Sequence, residues 1–162
     1  MQQVIFVLLG LITLGAAVMV VASHRLFHSA LWLMLAFLGI AAVFILLNAE
    51  FLAVVQVLIY IGAISTLIIF AIMLSRSVMD PAERRFNDQW GVVGGFAALL
   101  FVTLAAIVTR VPWPASGGEV PPDTIERLGA GFVGPYVVPF EVASVLLVVA
   151  MIGAIIIARE RE

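Results

Sequence analysis

Long apolar runs alternate with short polar stretches along this chain of 162 residues. A membrane-spanning helix needs about 20 predominantly apolar residues, because the hydrocarbon core is about 30 Å thick and a helix rises about 1.5 Å per residue. Five runs reach this length, at about residues 4–22, 29–47, 52–74, 91–108 and 140–158. The pattern therefore predicts an all-α integral membrane protein with five transmembrane helices, forming a single membrane domain over residues 1–162.

The connections between the runs differ in length and in charge. Residues 24–28 and 48–51 allow only tight helix hairpins, whereas residues 75–90 and 110–139 form long polar connections with proline and glycine. Six of the eight Arg residues fall on one predicted side of the membrane, and only Arg110 and Arg127 fall on the other. Because cytoplasmic segments carry an excess of basic residues, we expect an outside N-terminus, a cytoplasmic C-terminus and an external loop over residues 110–139. The stretch VPWPASGGEVPPD within that loop is expected to be irregular.

Composition removes several classes of function. Hydrophobic residues make up 64% of the chain and charged residues 11%, which excludes an ordinary soluble domain. The net charge of −2 gives no reason to expect nucleic acid, and the absence of cysteine excludes disulfides and thiolate metal sites. A protein that carries ions usually needs ionisable residues deep in the membrane. No Lys, Asp, Glu or His lies deep in a predicted span of this chain. We therefore expect part of a larger membrane assembly, with a self-sufficient five-helix bundle as the alternative.

The third predicted helix contains an unusual number of polar and small residues. On a regular helix Gln56 and Tyr60 share one face, while Gly62, Ser65 and Thr66 lie on nearly the opposite face. One extra residue in the turn at Tyr60–Gly62, a π-bulge, would rotate Ser65 towards the face of Gln56 and Tyr60. The helix could then exist in two registers. A simpler interpretation, which fits the spacing better, is that the small residues contact a neighbouring helix closely.

Two carboxylates lie near the predicted outer ends of helices. Glu50 precedes the third helix, and Glu141 follows Pro139 at the predicted start of the fifth. Negative charge is favourable at a helix N-terminus, because the first N–H groups have no partner within the helix. The alternative is that each carboxylate is a protonatable group at the end of a water path, and the sequence leaves both interpretations open.

Two segments resemble a known family. AEFLAVVQVLIYIGAI and the later PFEVAS…IGAI resemble the third and last helices of subunit J of respiratory complex I, the proton-pumping NADH:quinone oxidoreductase. The resemblance covers His28–Leu74 and about Leu128–Arg159. It implies a core subunit of the cytoplasmic (inner) membrane that couples quinone reduction to proton translocation. Its implied neighbours are membrane subunits of types A, H, K and N. NADH, FMN, iron–sulfur clusters and quinone are expected in partner subunits, with no cofactor in this chain.

The resemblance also assigns roles to residues of the third helix. It implies a π-bulge that forms and resolves during turnover, at Tyr60, Ile61, Gly62 and Ala63. Glu50, Gln56, Ser65, Thr66 and Glu141 are expected to form a proton path or polar contacts. The hydroxyl pair at 65–66 departs from the family pattern, which leaves the electron donor open. The alternatives are a homologous subunit of a multi-subunit cation/proton antiporter or membrane-bound hydrogenase, and a purely structural membrane scaffold.

Overall fold

The structure, a computed structural model, describes residues 1–75, 89–112 and 123–159. These residues form helices and turns, with no strand among them. The helices are α1 (Gln2–Ala22), α2 (Leu26–Leu46), α3 (Glu50–Val55), a π-helical segment (Gln56–Ser65), α4 (Thr66–Leu74), α5 (Trp90–Arg110), α6 (Thr124–Val133) and α7 (Val137–Ala158).

Five of these helical stretches are long and apolar enough to cross a membrane. They are α1, α2, the continuous helix Glu50–Leu74 made of α3, the π segment and α4, and then α5 and α7. The prediction of an all-α protein with five transmembrane helices is therefore confirmed. All five predicted starts are late by one to three residues, and the largest differences are at α2, which begins at Leu26, and at α7, which begins at Val137. Pro139 lies inside the first turn of α7, where proline is tolerated because its missing N–H has no partner there anyway.

One helix lies within a segment for which the sequence pattern predicts only a loop. α6 occupies Thr124–Val133, inside the connection predicted over residues 110–139. Its ten residues are too few to cross a membrane, so a search for long apolar runs does not find it. The irregular stretch predicted over residues 111–123 lies almost wholly outside the described residues, as does most of the connection at 75–90.

The chain divides into two compact units, Met1–Ser116 and Gly117–Glu162. In the first unit, α2 packs against α1 and against all three segments of the helix Glu50–Leu74. The apolar residues buried there are small: Ala16, Ala30, Ala36, Gly39, Ala41 and Ala53. Small residues let helix backbones approach closely, which matters in a membrane because apolar burial alone does not drive helices together.

α1 and α2 approach each other closely at Gly39. A Cβ placed on Gly39 would overlap Thr13 Oγ1 and would lie 3.1 Å from Thr13 Cβ. By contrast, a Cβ on Gly10 or Gly15 would meet no atom within 4 Å. Gly39 is therefore the glycine that the α1–α2 contact requires.

In the second unit, α6 packs against α7 across the short turn at residues 134–136. Neither helix contains a buried residue, and the same is true of α5 in the first unit. Most of the apolar surface of these helices is thus available to lipid or to other proteins.

Candidate functional site: a π-helical segment in the third span

The middle of the third span is wound as a π-helix over Gln56–Ser65. A π-helix joins each N–H to the carbonyl five residues earlier, so its turns are wider than those of an α-helix. The flanking residues Val55 and Thr66 have ordinary α-helical angles, with φ and ψ of −60° and −42° for Val55 and −63° and −45° for Thr66. The chain therefore stays one right-handed helix and changes only its hydrogen-bond register. Tyr60, Ile61, Gly62 and Ala63 all lie inside the π segment.

A side-chain hydrogen bond marks the same register. The Ser65 hydroxyl donates to the Tyr60 carbonyl at 2.8 Å, five residues earlier. In α-helices of this chain the equivalent bonds reach three or four residues back, for example from Thr13 to Leu9 at 2.7 Å and from Thr103 to Leu99 at 2.8 Å. A serine hydroxyl in an α-helix bonds to the carbonyl three or four residues earlier. The Ser65 bond is thus specific to the wider turn.

The π register also determines which polar side chains are buried. Gln56 and Ser65 are nine residues apart, which on an α-helix is a rotation of about 900° and places them on opposite faces. In the structure both are buried, with 6% of Gln56 and 1% of Ser65 exposed. The segment that carries them packs against α2. The wider turns thus bring these two polar residues to the buried side of the helix.

Tyr60 and Thr66 do not join that buried pair. The Tyr60 side chain is 42% exposed, and its ring meets Phe37 of α2 edge to face, with centroids 5.3 Å apart and planes inclined by 71°. Thr66 is exposed as the first residue of α4. Nothing in the sequence singles out Phe37, because one more aromatic residue in an apolar helix gives no distinct signal.

Gly62 lies on the exposed side of the π segment. A Cβ at Gly62 would lie 3.4 Å from the Val57 carbonyl oxygen, and no atom of another helix in the described chain comes within 4 Å of that position. The simpler interpretation of Gly62, a close contact with a neighbouring helix, is therefore not what the described part of this chain shows. The one close neighbour belongs to the widened turn itself.

The two carboxylates occupy different positions relative to their helices. Glu50 is the first residue of α3, after a turn in which Asn48 adopts a φ of 55°, and no side chain caps this helix. Glu141 is the fifth residue of α7, so the prediction that it opens the helix is wrong. Its backbone carbonyl accepts a hydrogen bond from the Ser144 hydroxyl at 2.7 Å. The Glu50 carboxylate therefore lies in the first turn of its helix, where negative charge is favourable, whereas Glu141 lies beyond the first turn of α7.

The fold and this site define a class: a multi-span α-helical membrane protein with a π-helical segment inside its third span. The family described as NADH-ubiquinone/plastoquinone oxidoreductase chain 6 matches residues 16–157. The NAD(P)H-quinone oxidoreductase chain 6 of Synechocystis sp. is 40% identical, over 98% of this chain and 81% of its own. The F(420)H(2) dehydrogenase subunit J of Methanosarcina mazei is 36% identical, over 98% and 92%. A chloroplast subunit 6 from Zygnema circumcarinatum is 34% identical, over 99% and 94%.

The chain belongs to the NADH-ubiquinone/plastoquinone oxidoreductase chain 6 family. The resemblance to subunit J of complex I that the sequence indicated is thereby confirmed.

Proposed function

We propose that this chain is the chain 6 or J-type membrane subunit of a proton-pumping quinone oxidoreductase, and that it contributes coupling rather than redox chemistry. The observation that carries the proposal is the family match over residues 16–157, which includes the end of the first span, almost all of the other four spans and the whole π segment. The antiporter and hydrogenase alternatives are not favoured, since the relatives described above are named as quinone oxidoreductase or F(420)H(2) dehydrogenase subunits.

The names of the relatives suggest which part of the enzyme this subunit serves. Chains of similar sequence belong to enzymes named for two different electron donors, NAD(P)H and F(420)H(2). A subunit shared between such enzymes has no reason to bind the donor itself. We therefore leave the donor of this complex open. We propose that partner subunits hold NADH or its equivalent, FMN, the iron–sulfur clusters and quinone.

The proposed coupling element is the π segment. In the π register Gln56 and Ser65 share the buried side and the Ser65 hydroxyl bonds to Tyr60. Rewinding of the segment to an α-helix would break that bond and move Ser65 to the face opposite Gln56. A polar path along this side would be continuous in the π register and interrupted in the α register. Glu50, Thr66 and Glu141 remain proposed members of a path or of polar contacts with partners.

The proposed neighbours are other membrane subunits, of types A, H, K and N, in the cytoplasmic membrane with the N-terminus outside. The exposed apolar surfaces of α5 and α7 support contacts of this kind, because a helix without a buried residue is free to pack against another chain.

Deletion and complementation test the assignment. Membrane vesicles from a strain that lacks this chain should lose donor-driven quinone reduction and the proton gradient that depends on it, and the full chain should restore both. Assays with NADH, NADPH and reduced F420 would identify the donor. Unchanged quinone reduction together with lost sodium or proton exchange would support the antiporter alternative and contradict the proposal.

A further inference from the structure

The short helix α6 has two distinct faces. Ile125, Leu128 and Phe132 are spaced three and four residues apart, so they lie on one side of the helix, and all three are exposed. The opposite side carries Glu126 and the ion pair between Arg127 Nε and Asp123 Oδ2, at 2.8 Å. The hydrogen bond from Arg127 holds the pKa of Asp123 below its usual value of 3.8, so the pair is ionised at neutral pH.

The turn between α6 and α7 is held by backbone hydrogen bonds. The Gly131 carbonyl accepts bonds from the N–H groups of Gly134, at 3.3 Å, and Tyr136, at 3.0 Å. Gly134 requires glycine, because a Cβ there would lie 2.9 Å from the Ala130 carbonyl oxygen. A Cβ on Gly131 would meet only the Tyr136 ring, at an ordinary 3.6 Å.

The packing across this turn shows that α6 is not a straight extension of α7. The rings of Phe132 and Phe140 have centroids 5.8 Å apart. In one continuous helix, residues eight apart are separated by about 12 Å along the axis. The chain therefore changes direction at residues 134–136, and the C-terminal end of α6 contacts the first turns of α7.

We propose that α6 is an interfacial helix, with its face of Ile125, Leu128 and Phe132 inserted into the phospholipid surface that α7 enters. Continuity with a membrane span supports this position. α7 is long and apolar enough to cross the bilayer from Val137, and only three residues separate it from α6. An apolar helix face next to the point where a span enters the membrane meets the boundary between headgroups and acyl chains. Tyr136, exposed in the turn, is a residue type enriched at this depth.

The charges of α6 specify the kind of lipid contact. Asp123 and Glu126 are acidic and Arg127 is basic, so the polar side has no excess of positive charge. Helices that bind anionic lipids have clusters of Lys and Arg. The contact of α6 is therefore made by its apolar area, with zwitterionic or anionic phospholipid alike, and it does not depend on ionic strength.

The absence of cysteine in this chain allows a direct test in the assembled complex. Ile125→Cys and Glu126→Cys, in separate variants, are exposed in membrane vesicles to a water-soluble maleimide, and the mass of this chain is followed. Cys at 125 should react at least about tenfold more slowly than Cys at 126, because apolar surroundings disfavour the reactive thiolate. Vesicles that contain a phospholipid with a diazirine near the headgroup end of its acyl chain should give photo-adducts on the Thr124–Val133 peptide, with a yield unchanged by salt.

Glycine variants supply the matched control. Gly134→Ala should raise the maleimide reactivity of Cys at 125, because the turn can no longer hold α6 in place, whereas Gly131→Ala should leave it unchanged. Equal reactivity at 125 and 126 would show that water covers both faces and would overturn the proposal. The proposal would also be overturned if lipid adducts were absent and Cys at 125 formed cross-links to another subunit, because protein would then cover the face.

Discussion

The Ser65→Ala substitution tests the π segment most directly. It removes one hydroxyl from a site that is 1% exposed, and with it the 2.8 Å hydrogen bond to the Tyr60 carbonyl. The side chain becomes smaller by one oxygen atom and its Cβ is retained. The next residue, Thr66, offers a matched control, because Thr66→Ala removes a hydroxyl from an exposed position just outside the π segment.

The expected size of the effect follows from the two registers. A hydrogen bond of this kind contributes about 0.5–1.5 kcal/mol net, and polar contacts between membrane helices average roughly 0.6 kcal/mol. We expect Ser65→Ala to shift the balance towards the α register by at most about 1 kcal/mol, or roughly fivefold in population, because in the α register the hydroxyl can still bond to a carbonyl three or four residues earlier.

Two measurements on the assembled complex check this expectation. Amide hydrogen exchange of the peptide that contains Gln56–Ser65 should change in Ser65→Ala, and the number of protons pumped per quinone reduced should fall. Thr66→Ala should leave both quantities at the level of the unsubstituted complex. If the two variants behave alike in exchange and in pumping, the Ser65 bond does not determine the register and the proposed switch is refuted.

Three further predictions address other positions. Gly62→Val should impair quinone-linked pumping more than assembly, measured against Gly62→Ala, since it adds a branched side chain to the widened turn; loss of assembly instead would favour a packing role against a partner subunit. In Gly39→Ala the added methyl group should overlap Thr13 and lower the thermal stability of the purified complex by about 1–3 kcal/mol, whereas Gly15→Ala should leave it unchanged. Equal melting curves for the two variants would contradict the close contact. Glu50→Gln should cost only about 0.3–1 kcal/mol of stability if Glu50 serves its helix N-terminus alone; a severe loss of pumping in an assembled complex would show that Glu50 carries a proton.

The sequence predicts the five spans because the length of an apolar run is set by the thickness of the bilayer. α6 depends on a weaker signal, the spacing of Ile125, Leu128 and Phe132, and two glycines in a ten-residue helix obscure it. The mismatch of polar faces in the third span is visible in the sequence, but the ten-residue extent of the π segment is not. That extent depends on packing against α2, where Phe37 meets Tyr60, and long-range contacts of this kind leave no local pattern.

The contacts identified around the π segment suggest a helix that a neighbouring subunit could rewind. A π-helix is rare because its wide turns lose the close packing of the α-helix, so side-chain contacts must compensate. Here one hydrogen bond, from Ser65 to Tyr60, contributes about 0.5–1.5 kcal/mol. The Tyr60–Phe37 ring contact contributes about as much.

Together the hydrogen bond and the ring contact amount to about 1–3 kcal/mol, whereas a nearly complete reversal of a two-state equilibrium takes about 5.5 kcal/mol. A partner subunit that contacts the exposed side, at Gly62, could supply a difference of that size. The large exposed surface of this segment is therefore the place where the proposed coupling would enter the chain.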